Sequence, residues 1–461
     1  MERILVLNLV GLTPKILHSG KMPALEAYAS TQTERTMTPP LPAVTCTAQA
    51  DMLMGVPASE HGAVGNGWYF KDLAEIWSWR QSCHLIDGGG SLDSIFERWK
   101  QKYPESLTAQ IFWWWNLPGF ADLCVTPRPT YYADGRKGPD FHTSPPELHT
   151  ELKSALGDFP LFQFWGPGAG IASTRWIAEA TCHILEKHRP GLAMAYLPHL
   201  DYDLQRFGPD SAEALQSAEA LDHEFDRLHK SAIAFGYRIV VVSEYGIESV
   251  QQAVLPNRAL RDAKLLQVHA AQNGSLLDPG NSKAFCVCDH QIAHDYVSDD
   301  ENIEATKRVL EKLNGIDRIL ESSELSEFGL AHERSGQLVL IAKKGFWFAY
   351  PYWSELEPEP DFARTVDIHK KPGYDPLELF LDPEKPMLKP RLALKLLGKK
   401  LGFRTLMNVV SLDTSLVQGS HGRPPTSPDE GPIWIGPKDL VPGADGFAMT
   451  EALSRLTASK A

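Results

Sequence analysis

The residues between 41 and 67 include the side chains best suited to nucleophilic chemistry. Thr45 lies near the start of a segment with helical character that closes at Gly55. Backbone N–H groups and the macrodipole favour negative charge at the start of a helix, so a hydroxyl there can attack an electrophile once a metal or a base lowers its pKa. The competing interpretation is that Thr45 only caps the helix.

The spacing of the residues in this segment favours a nucleophilic Thr45 over a threonine that only caps the helix. Gly55 comes ten residues after Thr45, a His61-Gly62 pair follows, and Asn66 stands 21 residues after Thr45. This pattern resembles the nucleotide pyrophosphatase/phosphodiesterase and phosphonoacetate hydrolase families of the alkaline phosphatase superfamily. The resemblance implies that Thr45 is the attacking nucleophile and that the Asn66 amide donates to a phosphoryl oxygen, where it stabilises developing charge.

Three later segments extend the resemblance. Asp201 begins a stretch similar to the family's Asp-x-x-x-His-x-x-Gly, and Glu244 stands where the family has the Asp of Asp-His-Gly at a strand end. His421-Gly422 matches the final His-Gly element. The resemblance implies a bound divalent metal, zinc or another transition metal, as one or two ions. It assigns Asp201, Glu244 and His421 as ligands.

Three of the family's protein ligands are changed in this chain. Gln205 and Tyr245 each stand in the place of a His, and Val10 stands in the place of an Asp. Valine cannot bind a metal, and Asn8, on the same strand face, is the nearest polar substitute. We expect Gln205 and Tyr245, together with Asn66, to contact the substrate.

Two further segments are candidates to supply the missing ligands. Asp367 and His369 would project from one face of a strand, and we retain both as candidate metal ligands. Asp289, His290 and His294 combine a carboxylate with two imidazoles beside apolar strands. For both segments the competing interpretation is a structural histidine whose polar atoms are satisfied by its neighbours.

The elements that must position these residues indicate one α/β domain over 1–461. Apolar runs of strand length occur at Ile4–Val10, Ala193–Leu197 and Ile239–Ser243, and helical periodicity occupies Ala212–Phe235. Strand, helix and strand at this spacing form a βαβ pattern. We therefore predict an alkaline-phosphatase-like, mostly parallel central sheet with helices on both faces and the site at the carboxyl ends of the strands.

Three regions call for separate expectations. Strand-like apolar stretches within about 255–350 predict a smaller cap inserted into the domain. The Trp-, Pro-, Gly- and Tyr-rich stretch 112–146 predicts an irregular excursion over one end of the sheet. The basic stretch Lys389–Arg404 predicts a helix with a solvated face.

Composition limits the partners. The 461 residues are 43% hydrophobic and 22% charged, as in an ordinary globular protein. A net charge of −13 would repel a nucleic acid polymer, so we expect a small-molecule phosphate ester or nucleotide as the partner. No apolar run is long enough to span a membrane, and no signal-peptide pattern is evident, so we predict a cytoplasmic protein.

The predicted function is metal-dependent hydrolysis of a phosphate mono- or diester or a pyrophosphate, with Thr45 as nucleophile. One alternative is a non-catalytic pseudoenzyme that kept the fold and lost the metals, which the three changed ligands favour. Retention of Thr45, Asn66, Asp201 and His421 favours the enzyme. A second alternative is hydrolysis of a phosphonate C–P bond, which uses the same core residues.

Overall fold

A computed structural model describes residues 2–133, 137–354, 357–385, 390, 394–395, 397–398 and 406–458. Most of the basic helix predicted at 389–404 therefore lies outside the described residues. None of the helices in the described ranges has both the length and the apolar character needed to cross a membrane. These helices are α1 Pro14–Leu17, α2 Pro23–Ala29, α3 Thr45–Met54, α4 Ala58–His61, α5 Ile95–Lys102, α6 Glu147–Leu156, α7 Ile171–Lys187, α8 His199–Phe207, α9 Ala212–Ala234, α10 Pro256–Asp262, α11 Ile303–Leu310 and α12 Ser454–Thr457.

The strands in the same ranges form one large sheet, one smaller sheet and several two-stranded pairs. In chain order they are β1 Ile4–Leu9, β2 Thr33–Thr38, β3 Gly67–Phe70, β4 Glu75–Ser78, β5 Thr108–Ile111, β6 Leu123–Pro127, β7 Thr130–Tyr131, β8 Lys137–Gly138, β9 Phe141–Ser144, β10 Leu192–Leu197, β11 Arg238–Val242, β12 Glu248–Ser249, β13 Gln252–Val254, β14 Val268–Ala271, β15 Gly274–Leu277, β16 Ala284–Asp289, β17 Ile292–Val297, β18 Ile316–Glu321, β19 Leu338–Ala342, β20 Phe346–Phe348, β21 Gly419–Ser420, β22 Ile433–Gly436 and β23 Phe447–Ala448.

The large sheet runs through the centre of the domain. Within the described residues its strand order is β23-β2-β22-β11-β1-β10-β5-β6-β9. The five strands from β11 to β6 are parallel, whereas β22 and β9 are antiparallel to their neighbours. Every residue of β1 and β10 is buried, as expected for parallel strands covered on both faces. The predicted mostly parallel α/β fold is confirmed.

Alternation along β1 divides the interior into two layers. Leu5 and Leu7 pack into a core that includes α7 and α9, whereas Ile4 and Val6 pack into a core that includes α3. Asn8 has the parity of Ile4 and Val6, so its side chain is directed toward the α3 face. Because side chains alternate between the two faces of a strand, Asn8, a polar residue in an otherwise apolar strand, is directed toward the start of α3.

The smaller sheet lies within the range predicted for a cap. Its antiparallel order is β16-β17-β19-β18, and its apolar side chains share the core that contains α3. Asp289 and Ile292 pair across the β16–β17 hairpin, so His290 and Gln291 form its turn. His290 has a φ of 59°, a left-handed conformation that is uncommon for a residue other than glycine.

The stretch 112–146 is irregular only in part, which differs from the prediction. Leu123–Pro127 and Phe141–Ser144 form β6 and β9 at one edge of the central sheet. All five residues of β6 are buried. The strand pairs in parallel with β5 although the surrounding sequence is rich in Pro and Gly. The three adjacent tryptophans, Trp113 to Trp115, are buried in the α3 core.

Candidate active site

Thr45 is the first residue of α3, and Val44 occupies the N-cap position in an extended conformation. The Thr45 side chain forms no capping hydrogen bond; its Oγ1 lies 3.1 Å from the Tyr245 hydroxyl. Burial raises the pKa of the Glu244 carboxyl, and the Thr45 hydroxyl is among the groups that oppose this shift. The structure therefore does not support the capping interpretation, because the hydroxyl is directed toward the strand ends and away from its own helix.

Asn66 is held against the start of α3 by three hydrogen bonds. Its Oδ1 accepts from the Cys46 backbone N–H at 3.0 Å. Its Nδ2 donates to Asp289 Oδ1 at 3.0 Å, and its backbone N–H donates to Asp289 Oδ2 at 2.7 Å. These contacts leave one amide hydrogen of Asn66 for a ligand. They also bring the β16–β17 hairpin to the site.

Asp201 lies in the first turn of α8 and is paired with Gln205 one turn later. Gln205 Nε2 donates to Asp201 Oδ2 at 2.7 Å, which is the contact expected between residues i and i+4 of a helix. The Tyr245 hydroxyl donates to Asp201 Oδ1 at 3.2 Å. Gln205 Oε1 accepts from the Tyr374 hydroxyl at 2.7 Å. Both Asp201 oxygens therefore face hydrogen donors from this chain.

Glu244 follows β11 and is buried completely. Its Oε1 accepts from Asn8 Nδ2 and from Gln49 Nε2, both at 2.6 Å, and its Oε2 has no hydrogen-bond partner. Asn8 thus acts as a hydrogen donor to a carboxylate, and its amide is not a metal ligand in this arrangement.

Four aromatic rings stack beside these carboxylates. The Tyr245 and His421 rings lie 3.6 Å apart between centroids with an interplanar angle of 7°. His421 is 3.7 Å from His290, and His290 is 3.6 Å from Tyr374 at 22°. The column places both imidazoles between two phenol rings and excludes solvent from their faces.

The orientation of the two imidazoles is set by their Nδ1 atoms. His421 Nδ1 donates to the Ala43 carbonyl at 2.8 Å, and His290 Nδ1 lies 2.8 Å from Asp289 Oδ1. Because Asp289 also accepts two N–H groups from Asn66, we assign the Nδ1 proton to His290. The Nε2 atoms of both rings then carry lone pairs, and neither has a hydrogen-bond partner.

Burial controls the charge of the site. It raises the pKa of Asp201 to about 7 and that of Glu244 to about 8, although hydrogen bonds from their neighbours oppose both shifts. Burial also raises the pKa of Asp289 and lowers the pKa values of His290 and His421 well below their usual range. At neutral pH both imidazoles are therefore uncharged, and Asp201 and Glu244 titrate near neutral pH.

Two predicted ligands contact other parts of the chain. The Asp367 carboxylate lies 3.6 Å from Lys137 Nζ and 3.9 Å from Lys370 Nζ. His369 Nδ1 donates to the Ser78 carbonyl at 3.2 Å. These partners, two ammonium groups and a backbone carbonyl, account for the side-chain polar contacts that the structure gives Asp367 and His369. Their prediction as compensating ligands is not supported by this geometry.

The segment 289–294 contains residues that belong to the site and a residue that stabilises the surrounding structure. Asp289 and His290 join the site, as described above. His294 donates from Nε2 to the Val64 carbonyl at 2.9 Å and accepts at Nδ1 from the Gly336 N–H at 3.1 Å. With both ring nitrogens used, His294 is the structural histidine that the competing interpretation anticipated.

Sequence reasoning missed Gln49 and Tyr374. Gln49 lies four residues after Thr45 on α3, and this i, i+4 spacing is a signal that places both on one helix face. Tyr374 reaches the site because its backbone N–H donates to the Cys288 carbonyl at 2.9 Å. That contact depends on tertiary structure, and no local pattern in the sequence predicts it.

The residues present do not fit the two-metal set implied by the resemblance. Asp201 and Glu244 each already accept two hydrogen bonds from this chain. An aliphatic, an amide and a phenol side chain occupy positions 10, 205 and 245. Among the described residues, no group of three or more His, Cys, Asp or Glu side chains has the geometry to hold a metal ion.

The site is also closed. A cavity of about 20 Å³ beside Tyr245 is lined by Ala43, Gln291 and Arg423, among others. Ligand sites for small molecules usually enclose about 300–1,000 Å³. In this conformation the cavity has room for about one water molecule.

The central sheet, and a buried nucleophile candidate beside the carboxylates at its strand ends, define a protein of the alkaline phosphatase superfamily. The profile of the family described as type I phosphodiesterase / nucleotide pyrophosphatase matches residues 4–375, and the chain belongs to this family. Its members are metal-dependent phosphoric ester hydrolases. No curated protein matches the sequence significantly.

Solved structures agree on the fold. Phosphonoacetate hydrolase from Sinorhizobium meliloti 1021, in complex with phosphonoformate, is 15% identical with a TM-score of 0.61, over 99% of this chain and 95% of that chain. Murine ectonucleotide pyrophosphatase / phosphodiesterase 5 is 12% identical with a TM-score of 0.59, over 99% and 94% of the two chains. An inactive variant of the murine protein has been solved in complex with AMP.

Proposed function

We propose that this protein hydrolyses a small phosphate ester or nucleotide with Thr45 as the nucleophile. The observation that carries the proposal is the contact of Thr45 Oγ1 with the Tyr245 hydroxyl at 3.1 Å, 200 residues away in sequence, beside Glu244. Family membership supports the reaction class. The cytoplasmic location stays a prediction from the sequence.

In the proposed reaction, Thr45 Oγ attacks phosphorus and the ester oxygen leaves; water then releases the phosphoryl group from Thr45. Asp201 would accept the Thr45 proton through the Tyr245 hydroxyl, and Glu244, whose pKa the Thr45 hydroxyl lowers against the effect of burial, is the second candidate acceptor. The remaining Asn66 amide hydrogen and the N-terminal N–H groups of α3 would face the charge that develops on the phosphoryl oxygens.

A second candidate function is non-catalytic ligand binding on the same fold. The observation that favours it is the closure of the site: Asp201, Gln205 and Tyr245 satisfy one another, and the adjoining cavity measures about 20 Å³. A phosphate ester would reach Thr45 only after this contact set opens. The hydrolase requires that opening during turnover, whereas a binding protein does not.

Activity and covalent labelling separate the two candidates. The substrates are p-nitrophenyl phosphate mono- and diesters, a nucleotide and phosphonoacetate, and the readouts are kcat/KM and the intact mass of the quenched protein. We expect a phosphoryl or nucleotidyl adduct on wild type and Thr45→Ser. We expect at least a ~10³-fold loss of kcat/KM and no adduct for Thr45→Ala.

Thr47→Ala is the matched control, because Thr47 is a buried threonine two residues further along α3. Its activity should stay within a few-fold of wild type. If wild type turns over none of these substrates and forms no adduct, the hydrolase proposal fails and ligand binding is favoured. Turnover of phosphonoacetate alone would instead assign C–P bond hydrolysis.

A further inference from the structure

The side chains that stand in place of the two family imidazoles bind the same carboxylate. Gln205 Nε2 donates to one Asp201 oxygen at 2.7 Å, and the Tyr245 hydroxyl donates to the other at 3.2 Å. A ligating imidazole presents a lone pair to a metal, whereas these groups present hydrogens to Asp201. The two replacements therefore supply the carboxylate with the partners that a cation would otherwise provide.

Tyr374 joins the two replacements into one closed unit. Its hydroxyl donates to Gln205 Oε1 at 2.7 Å, and its ring begins the stacked column that ends at Tyr245. These contacts form a closed loop. Stacked rings connect Tyr374 to Tyr245, and hydrogen bonds through Asp201 and Gln205 connect Tyr245 back to Tyr374. We call this unit the closed cluster; its members are Asp201, Gln205, Tyr245, His290, Tyr374 and His421.

The carboxylate expected at the second metal position is occupied on one of its two oxygens, and Glu244 Oε2 has no hydrogen-bond partner. Glu244 Oε1 accepts amide hydrogens from Asn8 and Gln49, both at 2.6 Å. Val10, where the family has an acidic ligand, is fully buried in the apolar core below α7 and α9. The Glu244 oxygen that faces two N–H groups offers poor coordination for a hard or borderline cation, and the aliphatic side chain at position 10 offers none.

We infer that the closed cluster is a metal-free replacement of the family's two-metal centre, in which the residues at 205 and 245 act as a pair. Restoring one imidazole leaves the other hydrogen donor aimed at Asp201, so metal binding should return only when both are restored. The inference concerns the site of the proposed function. Metal content and ester hydrolysis are separate measurements, so either can fail alone.

The test measures bound metal on the full chain, purified without chelator, by inductively coupled plasma mass spectrometry. Thermal unfolding with and without added ZnCl₂ or MnCl₂ provides a second readout. We expect wild type to carry less than about a tenth of an ion per chain and to keep its Tm when metal is added. We expect the triple variant Val10→Asp, Gln205→His, Tyr245→His to bind at least about one zinc ion per chain, with a rise in Tm on adding zinc.

Gln205→His alone should remain metal-free, and Tyr131→His, at an exposed tyrosine, corrects for adventitious zinc binding. The inference is overturned if wild type retains about one divalent ion per chain that Asp201→Asn abolishes. A folded triple variant without bound metal also overturns it. If the triple variant does not fold, the metal content of wild type and of Asp201→Asn decides the question.

Discussion

The Tyr245 hydroxyl lies 3.1 Å from Thr45 Oγ1, at the position where the family resemblance predicts an imidazole. The same hydroxyl donates to Asp201, so one phenol connects the candidate nucleophile to the candidate first-metal ligand. In the proposed reaction, the Thr45 hydroxyl would therefore lose its proton through a hydrogen-bonded phenol.

Tyr245→Phe should lower kcat/KM by roughly 10–100-fold, because it removes the path from Thr45 to Asp201 while keeping the ring against His421. The loss of one buried hydrogen-bonding group should cost about 1–3 kcal/mol of unfolding free energy. Tyr202→Phe is the control, since that buried hydroxyl donates to the Phe164 carbonyl. Both variants should lose similar stability, and only Tyr245→Phe should lose activity; equal kcat/KM values would refute the role of this hydroxyl.

Lys371→Met should destabilise the protein by about 3–5 kcal/mol. The Lys371 ammonium is fully buried, 2.7 Å from Asp375 and 2.8 Å from Glu378, so its removal leaves two buried carboxylates without their cation. The adjacent Lys370 is 69% exposed, and Lys370→Met should stay within about 0.5 kcal/mol of wild type. Urea unfolding measures both values, and equal midpoints would show that the buried ion pair is dispensable.

Gly246→Ala should displace the residue that follows Tyr245. A Cβ at position 246 would fall 1.8 Å from the Glu430 carbonyl oxygen, so the backbone has to move. We expect a loss of at least about 2 kcal/mol together with reduced hydrolysis, because the ring of Tyr245 leaves its place against His421. Gly280→Ala is the control, as its added Cβ would meet no atom closer than 3.5 Å. Wild-type stability in Gly246→Ala would contradict the packing described.

Asp295→Asn should remove a pH dependence of stability. Asp295 is fully buried, and burial raises its pKa to about 8 although the Cys286 thiol opposes the shift. The unfolded value is about 3.9, so the unfolded state releases this proton first as the pH rises. The stability that this group contributes is full below about pH 4 and is lost up to about pH 8, at up to about 1.4 kcal/mol per pH unit.

Urea unfolding at pH 5 and pH 8 tests this expectation. The decline in unfolding free energy between the two pH values should be smaller for Asp295→Asn than for wild type. Asp72→Asn, at an exposed position, should decline as wild type does. Parallel declines in all three proteins would show that Asp295 does not titrate as proposed.

Local sequence patterns were enough to predict the helix and strands that carry the site. The helix predicted at 212–235 is observed as Ala212–Ala234, and the apolar runs at the N-terminus and near 193 and 239 are central strands. Periodicity of 3.6 or 2 is a property of consecutive residues, so it is visible without the fold. The spacing from Thr45 to Gly55 likewise places Thr45 at the start of α3.

The amino-acid sequence by itself thus determined the α/β layers, the family and the place of Thr45 at a helix start. Only the tertiary structure decided the partners of its polar groups: Tyr374 for Gln205, Asp289 for Asn66, and hydrogen donors for Asp201. The physical reason is that a buried polar group takes whichever partner the packing of distant segments brings within about 3 Å. Tyr374 and Gln205 are 169 residues apart, and no local pattern encodes that meeting.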